Sequence, residues 1–240
     1  MKIIFSPSKK QNRSSEVFDQ ISEPMFSEQA QEVRASMQKF SKTELQKILK
    51  LSDAQVDSVF DLYHGGNLIQ SAVCLFSGTS FAALDVPSLS HSQIDYLQQY
   101  LRIMSAMYGV LQPLDQVVPY RLDMNDRIFT QQNLYDFWKP CLEEYFDSGE
   151  LIINLASAEY TKMIPKNCRS NMIDCIFYIR KENALRSVSV FSKQQRGNLL
   201  RYMAQNHIAD IGCVKKYSDN GFVFSSELSD DKKYIWVKDV

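Results

Sequence analysis

Apolar, strand-forming runs in this chain end repeatedly on short segments of hydroxyls, glycine or basic residues. Ile3-Ile4-Phe5 leads into Ser6-Pro7-Ser8-Lys9, and Val73-Cys74-Leu75-Phe76 into Ser77-Gly78-Thr79-Ser80. Leu151-Ile152-Ile153-Asn154 leads towards Ser157, and Val188-Ser189-Val190-Phe191 into Ser192-Lys193. In open sheets of α/β proteins, ligands bind outside the carboxyl ends of the strands, where loop amides and helix N-termini point outward. The pattern predicts a mixed α/β (α+β) fold, with a central mixed sheet, flanking helices and one shared rim. A rim of these residue types suits an anion, phosphate above all.

The chain is read as a single domain over residues 1–240, with 45% hydrophobic and 12% aromatic residues to fill its core. The 27 basic and 28 acidic residues leave a net charge of −1, so any basic site must be local. No apolar run approaches the roughly 18 residues of a membrane span, and the N-terminus opens on a strand without a signal pattern. The expectation is a soluble, cytoplasmic monomer. Cys74, Cys141, Cys168, Cys175 and Cys213 are scattered, never C-x-x-C, as reduced thiols would be, and His64, His91 and His207 lie far apart. Neither set predicts a metal site, and no cofactor motif occurs.

After the first strand, residues 8–22 read as a polar loop. Ser41 with Glu44 and Ser52 with Gln55 match the capping box and start two helices, the second carrying Val56, Val59, Phe60 and Tyr63 to a stop at Gly65-Gly66. A buried strand is expected over 72–76. Ser90 and Gln93 start a third helix whose face, Ile94, Leu97, Leu101 and Met104, runs to Ser105. An aromatic-rich helix is expected over 134–146, kinked or started at Pro140. Two hairpins complete the chain: residues 172–179 with 185–191 across a turn at 180–184, and Phe222-Val223-Phe224 with Tyr234-Ile235-Trp236-Val237.

Four segments carry possible chemistry. In Ser192-Lys193-Gln194-Gln195-Arg196-Gly197, a capping box of Ser192 and Gln195 would put Lys193 and Arg196 in a first helical turn. The helix dipole disfavours cations there, and a bound anion would reverse that; two solvated, paired charges fit the same letters. Residues 101–111, with Tyr108-Gly109 at the turn, resemble a helix-hairpin-helix offering backbone amides to a DNA phosphate, although a plain helix end with a glycine stop explains them too. Tyr120-Arg121 is an aromatic–arginine pair able to clamp a phosphate and stack on a base, or a buried aromatic beside a surface arginine. Asn154-Leu155-Ala156-Ser157-Ala158-Glu159 is a strand-to-helix turn in which Ser157 and Glu159 are accounted for by capping. No G-x-S-x-G elbow, P-loop or dinucleotide fingerprint is present.

Taken in order, these motifs resemble the YaaA family of peroxide-stress proteins. The similarity runs through Ser6-Pro7-Ser8-Lys9, the glycine turn after Phe76, Leu101 to Leu114, Pro119-Tyr120-Arg121-Leu122, Leu134-Tyr135-Asp136-Phe137-Trp138, Asn154-Leu155-Ala156-Ser157 with Glu159-Tyr160, Lys193 with Arg196-Gly197, and Gly221-Phe222. The resemblance implies a single-domain mixed fold containing a helix-hairpin-helix, a positively charged cleft, binding of double-stranded DNA and a role in limiting oxidative damage to it. The chain departs from the family's usual pattern at Thr79, Phe81, Ala83, Gln112, Ala158 and Gln194, each time losing a charge, a hydrogen-bonding group or a glycine.

The combined expectation is a binder of duplex DNA, without sequence preference, in which Lys9, Arg121, Lys193 and Arg196 neutralise phosphates. Ser6, Lys9, Gly78, Arg121, Asn154, Ser157, Lys193 and Arg196 should surround one concave site, with Tyr108 and Gly109 supplying amides. The alternatives are an enzyme acting on a nucleotide or an extruded base at the same rim, with Glu159 or Asp115 as acid or base, and an interaction module with no nucleic-acid role, which the near-zero net charge favours.

Overall fold

The computed structural model describes residues 1–12, 18, 21–66, 68–182 and 184–240. Residues 13–17, 19 and 20 of the expected polar loop, and residue 183 of the expected turn, lie outside them. The chain opens on β1 (Lys2–Phe5), whose Ile3, Ile4 and Phe5 are buried. Three helices follow: α1 (Ser27–Gln38), α2 (Lys42–Leu49) and α3 (Asp53–His64). The two expected capping boxes form, with the Ser41 amide donating to Glu44 Oε2 at 2.8 Å and the Ser52 amide to Gln55 Oε1 at 3.1 Å. Gly65 caps α3 as expected.

The strand expected over 72–76 is instead β2 (Gln70–Ser71) followed by a single helical turn, α4 (Ala72–Leu75). Burial was read correctly, since Ala72, Val73, Leu75 and Phe76 are all inside, but a short apolar run has no period to separate strand from helix. Then come α5 (Thr79–Leu84) and α6 (His91–Tyr100), the latter started by Ser90 and Gln93.

The third helix does not reach Ser105. It ends at Tyr100, and β3 (Leu101–Ser105) begins at once, every residue of it buried. Strands covered on both faces read as continuous apolar runs, which is why Leu101 and Met104 joined the helical stripe. β3 turns back into β4 (Gly109–Leu111), antiparallel with Ser105 opposite Gly109. The segment expected to be a helix-hairpin-helix is therefore a β-hairpin. Its turn needs glycine: Gly109 has φ +70°, and a Cβ there would lie 2.8 Å from the Trp138 ring.

β5 (Gln116–Val117) pairs with β2, and α7 (Leu134–Tyr145) starts at Asn133, which accepts the Asp136 amide, and runs through Pro140. β6 (Ile152–Leu155) leads to the short α8 (Ala158–Thr161). β7 (Met172–Lys181) and β8 (Ala184–Arg186) make the first expected hairpin, but its second strand ends at Arg186. Residues 189–191 already belong to α9 (Ser189–Gln205), so no strand runs into Ser192. β9 (Ser218–Asp219), β10 (Phe222–Phe224) and β11 (Lys233–Asp239) complete the chain, the last two paired antiparallel as expected.

Nine strands form one mixed sheet in the order β4-β3-β1-β6-β7-β11-β10-β9, with β8 on β7. β3, β1, β6, β7 and β11 are mutually parallel. From β1 the chain moves to β3 on one side, whereas β6 leads to β7 and β11 on the other. The topological switch therefore lies between β1 and β6, and the crevice for a ligand opens beyond Phe5 and Leu155.

Candidate functional site

At that switch point the two loops are tied together. Ser6 Oγ accepts the Ser157 amide at 2.8 Å, and the two hydroxyl oxygens lie 3.2 Å apart. Ser157 holds the N-cap position of α8, but its hydroxyl faces Ser6 and caps no amide. Glycine allows the surrounding segments to close in. A Cβ on Gly78 would fall 2.1 Å from Ser8 Oγ, and one on Gly197 would fall 2.1 Å from the Ser80 carbonyl oxygen, so α9 packs directly on α5. The result is a cavity of about 300 Å³ whose walls include Ser6, Lys9, Gly78, Arg121, Ser157, Lys193 and Arg196. Seven of the eight residues expected to share a concave site do so.

Charge is unevenly compensated around it. Asp123 Oδ2 lies 2.7 Å from Lys9 Nζ and 3.0 Å from Arg121 Nη1, the second contact an ion pair without the alignment of a hydrogen bond. The Asp123 amide donates to Asp126 Oδ2, and the Met124 amide to Glu159 Oε1, so this loop is held by carboxylates. Burial, then the Asp123 charge, pushes the Glu159 carboxyl above its ordinary range; burial does the same to Asp126.

On the opposite wall, Lys193 and Arg196 make no ion pair among the described residues, and Arg196 Nε is buried without a hydrogen-bond partner. Burial lowers the Arg196 pKa, partly offset by Cys175 and Asp174. These cations do not sit in a first turn. α9 begins at Ser189, so Ser192 lies within it, and the Gln195 side chain donates from Nε2 to Asp219 Oδ2 at 2.9 Å and accepts the Tyr217 hydroxyl at Oε1 at 2.7 Å. The expected capping box at Ser192 is absent, and the dipole argument built on it falls with it.

Other expectations need relocation. Asn154 does not line the cavity: its Nδ2 donates to Asp174 at 2.6 Å and its Oδ1 accepts the Ala156 amide, shaping the turn after β6. Tyr108 and Gly109 belong to the β3–β4 hairpin, where Ser105 Oγ already accepts the Met107 and Tyr108 amides, so the turn offers these to no phosphate. Tyr120 lines the cavity, but its ring is almost wholly buried against Phe76 and Tyr108, which leaves little of it to stack on a base. Asp115 is structural, accepting the Ser22 hydroxyl at 2.6 Å and the Gln112 amide at 2.8 Å.

Sequence reasoning missed Lys10, Asp123 and the apolar Phe81, Leu122 and Tyr160, all in the cavity wall. Asp123 had a readable signal, since an acid two residues beyond Arg121 on extended backbone points to the same side. No three His, Cys, Asp or Glu side chains among the described residues meet as a metal site, and no described helix is long and apolar enough to cross a membrane.

Comparison with known proteins shows the family of the chain. The family described as Peroxide stress protein YaaA matches residues 1–228. The chain is 35% identical to a UPF0246 protein of Agathobacter rectalis, over the whole of both chains. It is 32% identical to one of Desulfitobacterium hafniense, over 99% of this chain and 98% of that one, and 34% identical to one of Finegoldia magna with the same coverage.

Proposed function

This chain belongs to the peroxide stress protein YaaA family, and from that premise we propose that it binds duplex DNA through the β1–β6 cleft. Binding is by phosphate neutralisation, without sequence preference, by a cytoplasmic monomer, and is its contribution to peroxide tolerance. The observation that carries this reading is the concentration of charge: a chain of net charge −1 gathers Lys9, Lys10, Arg121, Lys193 and Arg196 around one cavity whose acids, among the described residues, are Asp123 and Glu159. Two unrelated duplexes of equal length, titrated by fluorescence anisotropy, should bind alike, and Arg196→Ala should weaken both by the same factor. A loss confined to one sequence would mean base readout and would defeat the reading.

A second reading, an enzyme acting on a nucleotide or an extruded base, draws on Glu159. A carboxyl whose pKa is raised inside a small cavity is suited to proton transfer. Glu159→Gln separates the two. A binder keeps or slightly gains affinity, whereas an enzyme keeps affinity and loses on the order of 10²-fold in rate. Incubation with duplex, mismatched and flipped-base DNA and with nucleotides, read by mass spectrometry, decides: a product that vanishes in the variant establishes the enzyme.

A further inference from the structure

Arg196 is a cation of the cavity wall that makes no ion pair among the described residues. Its Nε is out of solvent with no hydrogen-bond partner among the described residues, and the Asp174 carboxylate that acts on it from a distance is already engaged by the Asn154 amide. A largely buried guanidinium without a counter-ion is unfavourable, and either an ion-pair partner or a ligand anion relieves it. Lys193, in the preceding turn of α9 and on the same cavity wall, is also unpaired among the described residues. Two uncompensated cations match the charge of roughly −1.5 to −2 on a phosphomonoester at neutral pH better than the single charge of a backbone diester.

The depth of the site points the same way. A double helix is too wide to enter a cavity of about 300 Å³, so a duplex on the rim meets the cations only with a backbone phosphate and leaves the apolar part of the interior unused. That volume is at the lower end for small-molecule sites, where apolar walls hold the body of a ligand and a few polar groups orient it. Here Phe81, Leu122 and Tyr160 share the walls with the cations. Resting on the phosphate-binding reading of this cleft, we propose that the cavity takes one phosphomonoester carried on a nucleoside. The ligand is a 5′-mononucleotide, free or at the end of a DNA strand, with its phosphate against Arg196 and Lys193 and its nucleoside against the apolar wall.

Isothermal titration with 5′-dAMP and 5′-dCMP, with the two nucleosides and with inorganic phosphate tests this. Both nucleotides should bind, and the nucleosides at least about tenfold more weakly, as expected when a charged hydrogen-bonding group is missing. Arg196→Gln should weaken nucleotide binding by about tenfold, and Lys193→Ala, at an exposed position that folding does not need, by about threefold. Equal binding of nucleosides and nucleotides, no binding of either nucleotide, or unchanged affinity in both variants would overturn the proposal. Displacement of labelled dAMP more strongly by a 5′-phosphorylated strand than by free dAMP names the strand end as the source, and no such advantage names the free nucleotide. A 5′-hydroxyl strand that competes as well as the phosphorylated one overturns the monoester. Duplex binding without nucleotide binding removes only this proposal, and nucleotide binding without duplex binding removes only the backbone reading.

Discussion

The two walls of the cavity carry similar cations and handle them differently. On the loop wall, Lys9 and Arg121 share the Asp123 carboxylate, with Glu159 close by. On the α9 wall, Lys193 and Arg196 are left without partners among the described residues. On the proposed reading, the difference teaches that the number of cations left uncompensated, not the number of cations, sets where an anion lands. Much of the loop wall's charge is already compensated by Asp123 and Glu159, whereas on the proposed reading the α9 wall is completed by a ligand anion.

The largest test of this comparison is steric. Gly197→Ala drives a methyl into the Ser80 backbone carbonyl, which cannot rotate away, so α9 must lift from α5 and carry Lys193 and Arg196 with it. Chemical denaturation should show a loss of about 1–3 kcal/mol, typical of overpacking, together with weaker duplex binding. Gly78→Ala meets only the Ser8 side chain and should cost less; equal losses would show that the α9 wall is no more rigidly placed than the other.

Next in size is a pair of lysines. Lys193→Ala should lower duplex affinity by about threefold, and Lys9→Ala by far less, because Asp123 already neutralises Lys9. Equal effects in anisotropy titrations would break the comparison. Asp123→Asn should sharpen it: releasing Lys9 and Arg121 should tighten binding by a few-fold, on the order of 1 kcal/mol, and steepen its salt dependence.

The smallest effect is in pH. Burial and Asp123 raise the Glu159 carboxyl above its ordinary range, with Asp126 shifted the same way beside it. An acid that holds its proton more tightly when folded favours the fold below its unfolded value and withdraws that contribution as pH rises through its folded value. Duplex affinity should fall over the same window, as a new negative charge appears in the cavity. Glu159→Gln should flatten both profiles and leave affinity slightly higher at neutral pH; an unchanged profile would mean that Glu159 does not face the anion.

Much of the site was legible because a strand followed by a polar loop is a local pattern, and parallel strands must end on one rim. That logic found Ser6, Lys9 and Ser157, while Arg121 was found by its pairing with the aromatic Tyr120. It reached Gly78 and Lys193 for partly wrong reasons, since residues 72–75 are helical and no strand precedes Ser192. The hairpin at Leu101–Leu111 was read as helical because a central strand buried on both faces imitates the continuation of an apolar helix stripe. The ion pairs of Asp123 and the orphaned Nε of Arg196 were not legible, because they depend on which elements fold against each other.

The central claim is that uncompensated cations on α9 hold DNA phosphate, and the salt dependence of duplex affinity tests it most directly. A log–log plot for the unmodified protein should have a slope of about −2 to −4, at about −0.9 for each phosphate contacted, and Arg196→Gln should make it shallower by about one. A slope near zero, or one that Arg196→Gln leaves unchanged, would contradict it.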